Sequence, residues 1–149
     1  GLVFTMQAGF MCLEAGVTRR KNNINVAMKN LADFGVSTLV YWLFGFGLMF
    51  GATQAGWIGV SGFAPDLGAA APADTAFALF QIMFCGTAAT ILAGAVAERM
   101  RFSAYLLLMV LIAGVSYPVF GHWAWNLGPD GAPGGWLRQL GFVDFAGSS

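Results

Sequence analysis

Charge is what this sequence has least of. Only 9% of its 149 residues are Asp, Glu, Lys or Arg, against about 25% in an ordinary soluble domain. With 58% hydrophobic residues and a mean hydropathy of +0.70, no soluble core of this length could hide the apolar surface. Lys and Arg balance Asp and Glu to a net charge of zero, which argues against a nucleic-acid interface with its basic face. Histidine is nearly missing too, with His122 alone. A catalytic histidine needs a partner within reach, and no nucleophile–base–orienter set, phosphate loop or metal motif accompanies it. Enzymatic chemistry, a cofactor and a metal are therefore not expected in these residues. The two cysteines, Cys12 and Cys85, both sit in apolar runs and read as buried, inert thiols. Their spacing offers no metal set or disulfide framework. No cleavable signal peptide is seen; the chain opens at Gly1 in an apolar run and stops at Ser149 on the approach to another, as a portion of a longer protein would.

What is abundant is long apolar sequence. The first run, 1–17, is interrupted only by Gln7 and Glu14 and is short for a span of about 20 residues. A basic connector follows at 18–23. The second run, 24–50, carries Lys29 and Asp33 near its start; at i, i+4 the two can neutralise each other on one helix face. Residues 51–74, rich in Gly, Ala and Pro, read as an extramembrane loop. The third run is 75–97, closed by Glu98-Arg99-Met100-Arg101; the fourth is 102–123, with Pro118 near its far end. A Gly/Pro loop over 126–135, a short amphipathic piece over 135–142 and the opening of a fifth helix near Asp144 complete the chain. The fold class is all-α polytopic membrane protein, with four spans and the start of a fifth.

The basic residues set an orientation. Six of the seven Lys and Arg (Arg19, Arg20, Lys21, Lys29, Arg99 and Arg101) fall in or beside the connectors 18–23 and 98–101; only Arg138 lies on the other side. Cytoplasmic loops carry the excess of Lys and Arg, so both connectors are expected in the cytoplasm and the amino terminus outside, in a multi-pass protein of the cell membrane. Asp66, Asp74 and Asp130 then fall on the outer side. Trp57, Tyr117, Trp123, Trp125 and Trp136 gather near the outer ends, as an interfacial aromatic belt does. Gly86, Ala89, Ala93, Gly94 and Ala97 stud the third run, and small residues at such spacing let helices approach closely. The third helix is thus expected at the centre of the bundle.

Transport has better material than catalysis. Phe80 and Phe84 stand at i, i+4 and share a helix face near the outer end of the third span, and Trp125 lies near the outer end of the fourth. By themselves, a Phe pair at helical spacing reads first as packing and an outer Trp as part of the interfacial belt. Converging, they would form an aromatic cup, and aromatic faces attract a small cation by about 0.5–2 kcal/mol each. Asp144 reads as a helix N-cap or dipole partner, or as a carboxylate stabilising a cation at a pore mouth. His122 reads as an interfacial hydrogen-bonding residue.

Five blocks, in order, carry a resemblance to the ammonium transporter family (Amt/MEP/Rh). They are Gln7-Ala8-Gly9-Phe10 with Glu14-Ala15-Gly16 and Arg20-Lys21-Asn22; Phe80-Gln81 with Phe84; Gly94-Ala95-Val96-Ala97-Glu98-Arg99-Met100-Arg101-Phe102; Tyr117-Pro118 through Gly121-His122-Trp123-Ala124-Trp125; and Gly135-Trp136-Leu137 with Gly141-Phe142-Val143-Asp144-Phe145-Ala146-Gly147. The resemblance implies helices 1–4 and the start of helix 5 of an eleven-helix fold built from inverted five-helix repeats, in a homotrimer with one pore per subunit. It implies ammonium/ammonia as substrate, membrane lipid as surroundings, and a PII-type regulatory protein as a partner of the complete protein. It gives Phe84, with Phe80 beside it, the role of gate and recruitment aromatics, Trp125 that of the aromatic over the external ammonium site, and Asp144 that of the acid organising it. The family's paired pore histidines are not in this stretch. The first is expected a few residues past Ser149, and His122 matches neither. Ser148 stands where many members have glycine. The expected activity is transmembrane ammonium transport. The alternatives are an ammonium-sensing domain coupled to a cytoplasmic kinase or cyclase, a Rh-like gas channel, and an unrelated small-solute channel sharing the helical pattern.

Overall fold

The computed structural model describes residues 2–128 and 131–145. Asp130 and residues 146–149 lie outside that set; of the fifth helix expected to open near Asp144, the described part, 142–145, is not helical. Four helices dominate: α1 (Leu2–Val17), α2 (Arg20–Phe50), α3 (Pro72–Val96) and α4 (Phe102–Trp125). The last three are long and apolar enough to cross a membrane, while α1 has 16 residues. The loop after α2 holds a small antiparallel hairpin, β1 (Thr53–Gln54) with β2 (Ile58–Gly59), which hydropathy gave no reason to expect. Its turn needs left-handed backbone at Ala55 and Gly56 (φ 54° and 81°), a geometry that glycine supplies at no steric cost. A single turn, α5 (Trp136–Gln139), closes the described part.

Each helix begins and ends for local reasons. Pro72 occupies the first turn of α3, where its missing N–H is one of the unpaired donors anyway, and Asp74 faces the positive end of the helix dipole. Pro118 falls inside α4. It cannot donate to the Gly114 carbonyl one turn back, and the helix accommodates it by widening to π geometry over Ile112–Ser116. A second π segment, Tyr41–Gly45 in α2, lies against the first: a Cβ on Gly45 would come 2.9 Å from the Ala113 carbonyl oxygen. The Tyr41 ring meets Tyr117 edge-on at 5.9 Å.

α3 is the most enclosed of the three membrane-length helices, with 44% of its most apolar stretch buried against 28% for α2 and α4. Gly86, Ala89 and Ala93 turn inward, the close approach that small residues allow. One apolar cluster holds Tyr41, Met49, Ile82, Cys85 and Ala113 around the π segments; a second holds Ala89, Ala93, Tyr105 and Met109 further along. Cys85 is buried as its neighbours dictate, but Cys12 lies exposed on α1. The shared reading of both thiols as buried holds for only one of them, because α1 packs by one face alone.

The charged groups also depart from the simplest reading. Lys29 and Asp33 do not pair. Lys29 Nζ donates to the carbonyls of Ala97, the cap of α3, and of Met100 in the connector that follows (3.2 and 2.8 Å), and sits 5.5 Å from the Tyr105 ring centre. Asp33 instead accepts from Thr90 Oγ1 on α3 at 2.9 Å. Asn30 donates to Glu14 Oε2 at 2.8 Å. A buried polar junction therefore ties α1, α2 and α3. The two basic connectors are clamped as well: Glu98 accepts from the Arg19 backbone N–H, from Arg19 Nε and from Asn22 Nδ2 (3.1, 3.1 and 2.9 Å). Those hydrogen bonds, first from Asn22 and then from Arg19, hold the Glu98 carboxyl down at about 2.

Candidate functional site

The outer aromatics divide into two groups. Trp57 of the hairpin loop, Trp123 of α4 and Trp136 of α5 form one cluster: Trp57 stacks on Trp136 at 5.4 Å and meets Trp123 at 90° and 5.8 Å, while Trp123 Nε1 donates to the Trp57 carbonyl at 2.8 Å. Tyr117 and Trp125 turn the other way. Both line a cavity of about 510 Å³ with Phe80, Gln81, Phe84, Thr87 and Ile91 of α3, with Arg138 of α5 and with Val143 and Asp144 beyond it. A single belt thus describes the first group better than the second.

The geometry follows from the helices. Positions 80, 84, 87, 88 and 91 repeat at three and four residues and share one face of α3, opposite the face that packs on α1 and α2. The Phe80 and Phe84 rings lie 4.5 Å apart at 41°, and their sides remain 51% and 36% exposed, so aromatic surface is left for something else to touch. Trp125 is the last residue of α4. Its ring is held from two sides by Tyr117 and Phe120, each at 6.1 Å, and its Nε1 donates to Asp144 Oδ2 at 3.0 Å. The indole is thus pinned by a charge-assisted bond at the cavity wall.

All four residues singled out from the sequence, Phe80, Phe84, Trp125 and Asp144, line this one cavity. Tyr117, Thr87, Gln81 and Arg138 were missed. Helical spacing from Phe84 could have pointed to Gln81 and Thr87; nothing in the sequence brings Arg138 there. His122 is elsewhere and fully buried. A carbonyl can only accept, so Nδ1 carries the proton to the Met49 oxygen at 2.9 Å. In the neutral ring Nε2 then accepts from Thr53 Oγ1, also at 2.9 Å. The ring fastens the hairpin loop to the helix ends rather than reaching an interface.

Chemically, the cavity offers aromatic faces, two hydroxyls, an amide, one carboxylate and one guanidinium, with no nucleophile beside a base. Among the described residues no group of three or more His, Cys, Asp or Glu is placed to hold a metal. Such a wall suits a small cation held by ring faces and a nearby negative charge.

The comparisons with known proteins point one way. The family model described as Ammonium Transporter Family matches residues 1–149. A Synechocystis sp. protein named for ammonium transport is 58% identical over 153 residues, covering 100% of this chain and 28% of the relative. The protein named Ammonium transporter Amt2 of Archaeoglobus fulgidus is 41% identical, covering 99% of this chain and 32% of its own length. Among solved structures, one named Sensor Amt Protein superposes with a TM-score of 0.86 at 45% identity, over 97% of this chain and 36% of that one. Saccharomyces cerevisiae Mep2 follows the same path at a TM-score of 0.76 and 26% identity, over 97% and 32%. The chain thus spans about a third of the length of the proteins it resembles.

Proposed function

This chain belongs to the ammonium transporter family, and on that premise we propose that it builds the outer vestibule of an ammonium-conducting protein. Ammonium is recruited into the cavity between Trp125 and the Phe80–Phe84 pair, with Asp144 holding the indole and supplying negative potential. Deprotonation then lets neutral NH3 continue through an apolar pore completed by residues outside this stretch. The physical reason is the cost of a bare cation in hydrocarbon, which an uncharged molecule avoids. The complete protein, on this reading, is a homotrimer in the cell membrane with its amino terminus outside, its connectors in the cytoplasm and a PII-type regulator as partner.

The observation that carries the reading is the convergence of Phe80, Phe84, Trp125 and Asp144 on one cavity of about 510 Å³. Its test is saturable uptake of radiolabelled methylammonium by cells expressing the complete protein. Trp125→Leu should raise the half-saturating concentration about 2- to 30-fold, the equivalent of one cation–π contact, while leaving surface expression intact. An unchanged half-saturation would remove the cation from this cavity.

A second reading has its own support. The Sensor Amt Protein superposes on this chain at a TM-score of 0.86, and a sensing protein would use the same vestibule to bind ammonium without passing it on. Ammonium binding to the purified complete protein, with no uptake or current across a range of potentials, would select it.

A further inference from the structure

This inference rests on the reading of the cavity as a cation site and concerns its selectivity. Six of the seven basic residues lie in or beside the two connectors; the seventh, Arg138, stands in the cavity wall. It is placed there firmly. Trp136 N–H donates to the Gly56 carbonyl at 2.9 Å, Gly141 N–H donates to the Arg138 carbonyl at 3.0 Å, and the Trp136 ring stacks on Trp57. The side chain is half-buried, and no ion pair to it is found among the described residues. A guanidinium stays charged at every physiological pH. A cavity of about 510 Å³ is about 10 Å across, the range over which charges act in 0.1 M salt. Any cation it holds therefore feels Arg138.

We propose that Arg138 is the charge selector of this site. Asp144 alone would attract a divalent cation twice as strongly as a monovalent one. The opposing charge of Arg138 cancels that advantage and leaves the aromatic faces, which favour a small and weakly hydrated monovalent ion, to decide. The cost is weaker binding of ammonium itself.

Calorimetry with NH4Cl on the purified complete protein tests this whether the protein transports or senses. Arg138→Gln should tighten ammonium binding about 2- to 10-fold at low ionic strength. The gain should shrink toward parity at about 0.5 M N-methylglucamine chloride, where the Debye length is only a few ångströms. Mg2+ should compete with ammonium in the Gln variant and not in the parent, and Arg138→Lys should behave as the parent does. A purely structural arginine would give neither the salt dependence nor the lysine rescue. Arg138→Met provides the same reading if the Gln variant is unstable. Unchanged or weakened ammonium binding in the neutral variants, or a Lys variant that behaves like them, overturns the proposal. Failure of Trp125→Leu to weaken binding would instead overturn the cation site itself, so the two failures are distinct.

Discussion

At the scale of single residues, Asp144 has two duties that a pair of substitutions separates. It accepts the Trp125 indole N–H at 3.0 Å, and it brings a negative charge to the cavity wall. Asp144→Asn keeps an oxygen for the indole and removes the charge; Asp144→Ala removes both. If charge is what recruits the cation, the Asn variant loses most ammonium binding with its thermal stability near that of the parent. The Ala variant should also lose about 1.5–3 kcal/mol, the worth of a hydrogen bond to a charged group. A fully active Asn variant would show that the negative charge of Asp144 does not recruit the cation. Glu98 makes a prediction in pH. Its carboxyl is held at about 2, below its ordinary 4.5, so its contribution is complete above 4.5 and fades as pH falls toward 2. The melting temperatures of the parent and Glu98→Gln should differ by a constant amount from neutral pH down to about 5 and converge below that. The four residues named from the sequence were legible because family blocks contain them. Tyr117 stands in a block too but read as part of the aromatic belt, and Arg138 stands in none. What brings Arg138 to the cavity is a backbone bond from Trp136 to Gly56 across 80 positions of chain, and no local pattern encodes that.

At the scale of elements, the apolar runs announced the helices because each must satisfy its backbone within itself in lipid. Their interruptions were silent. Pro118 was visible, but the π segment that absorbs it, and the matching one at Tyr41–Gly45, depend on how two helices press together. The hairpin was hidden for a similar reason: Gly59 and Gly51 close against the Gly47 carbonyl, where no side chain would fit. The contact between π segments predicts a cost. A methyl group on Gly45 would lie 2.9 Å from the Ala113 carbonyl oxygen, as well as against the Tyr41 ring. Backbone on the far side cannot yield as a side chain can, so Gly45→Ala should destabilise by about 1–3 kcal/mol, as overpacked cores do. Gly35→Ala on the same helix meets nothing within 4 Å and should be close to neutral. Equal melting temperatures for the two variants would mean that α2 and α4 separate freely at this crossing.

At the scale of the whole molecule, the chain sorts its polar groups by depth. Lys29, Asp33, Asn30, Thr90 and Glu14 are all buried, and charge in the membrane interior is expensive unless it is paired or hydrogen-bonded. Here Lys29 caps the end of α3, while Asp33 and Glu14 take donors from Thr90 and Asn30. The sequence showed Lys29 and Asp33 one turn apart and offered the i, i+4 pair; it could not show that α3 ends within reach of Lys29. Arg19, Arg20, Lys21, Arg99 and Arg101 crowd one end of the bundle and the cavity, with Arg138 in its wall, lies toward the other, so orientation decides whether the vestibule faces the medium or the cell. Ala70 and Lys21 are exposed at opposite ends. In a background with Cys12 replaced by Ala, Ala70→Cys should react with a membrane-impermeant maleimide in intact cells, and Lys21→Cys only after permeabilisation. Cys85 is buried and should stay silent in both. The opposite pattern would turn the cavity toward the cytoplasm, where recruitment of external ammonium by Trp125 and Asp144 could not occur.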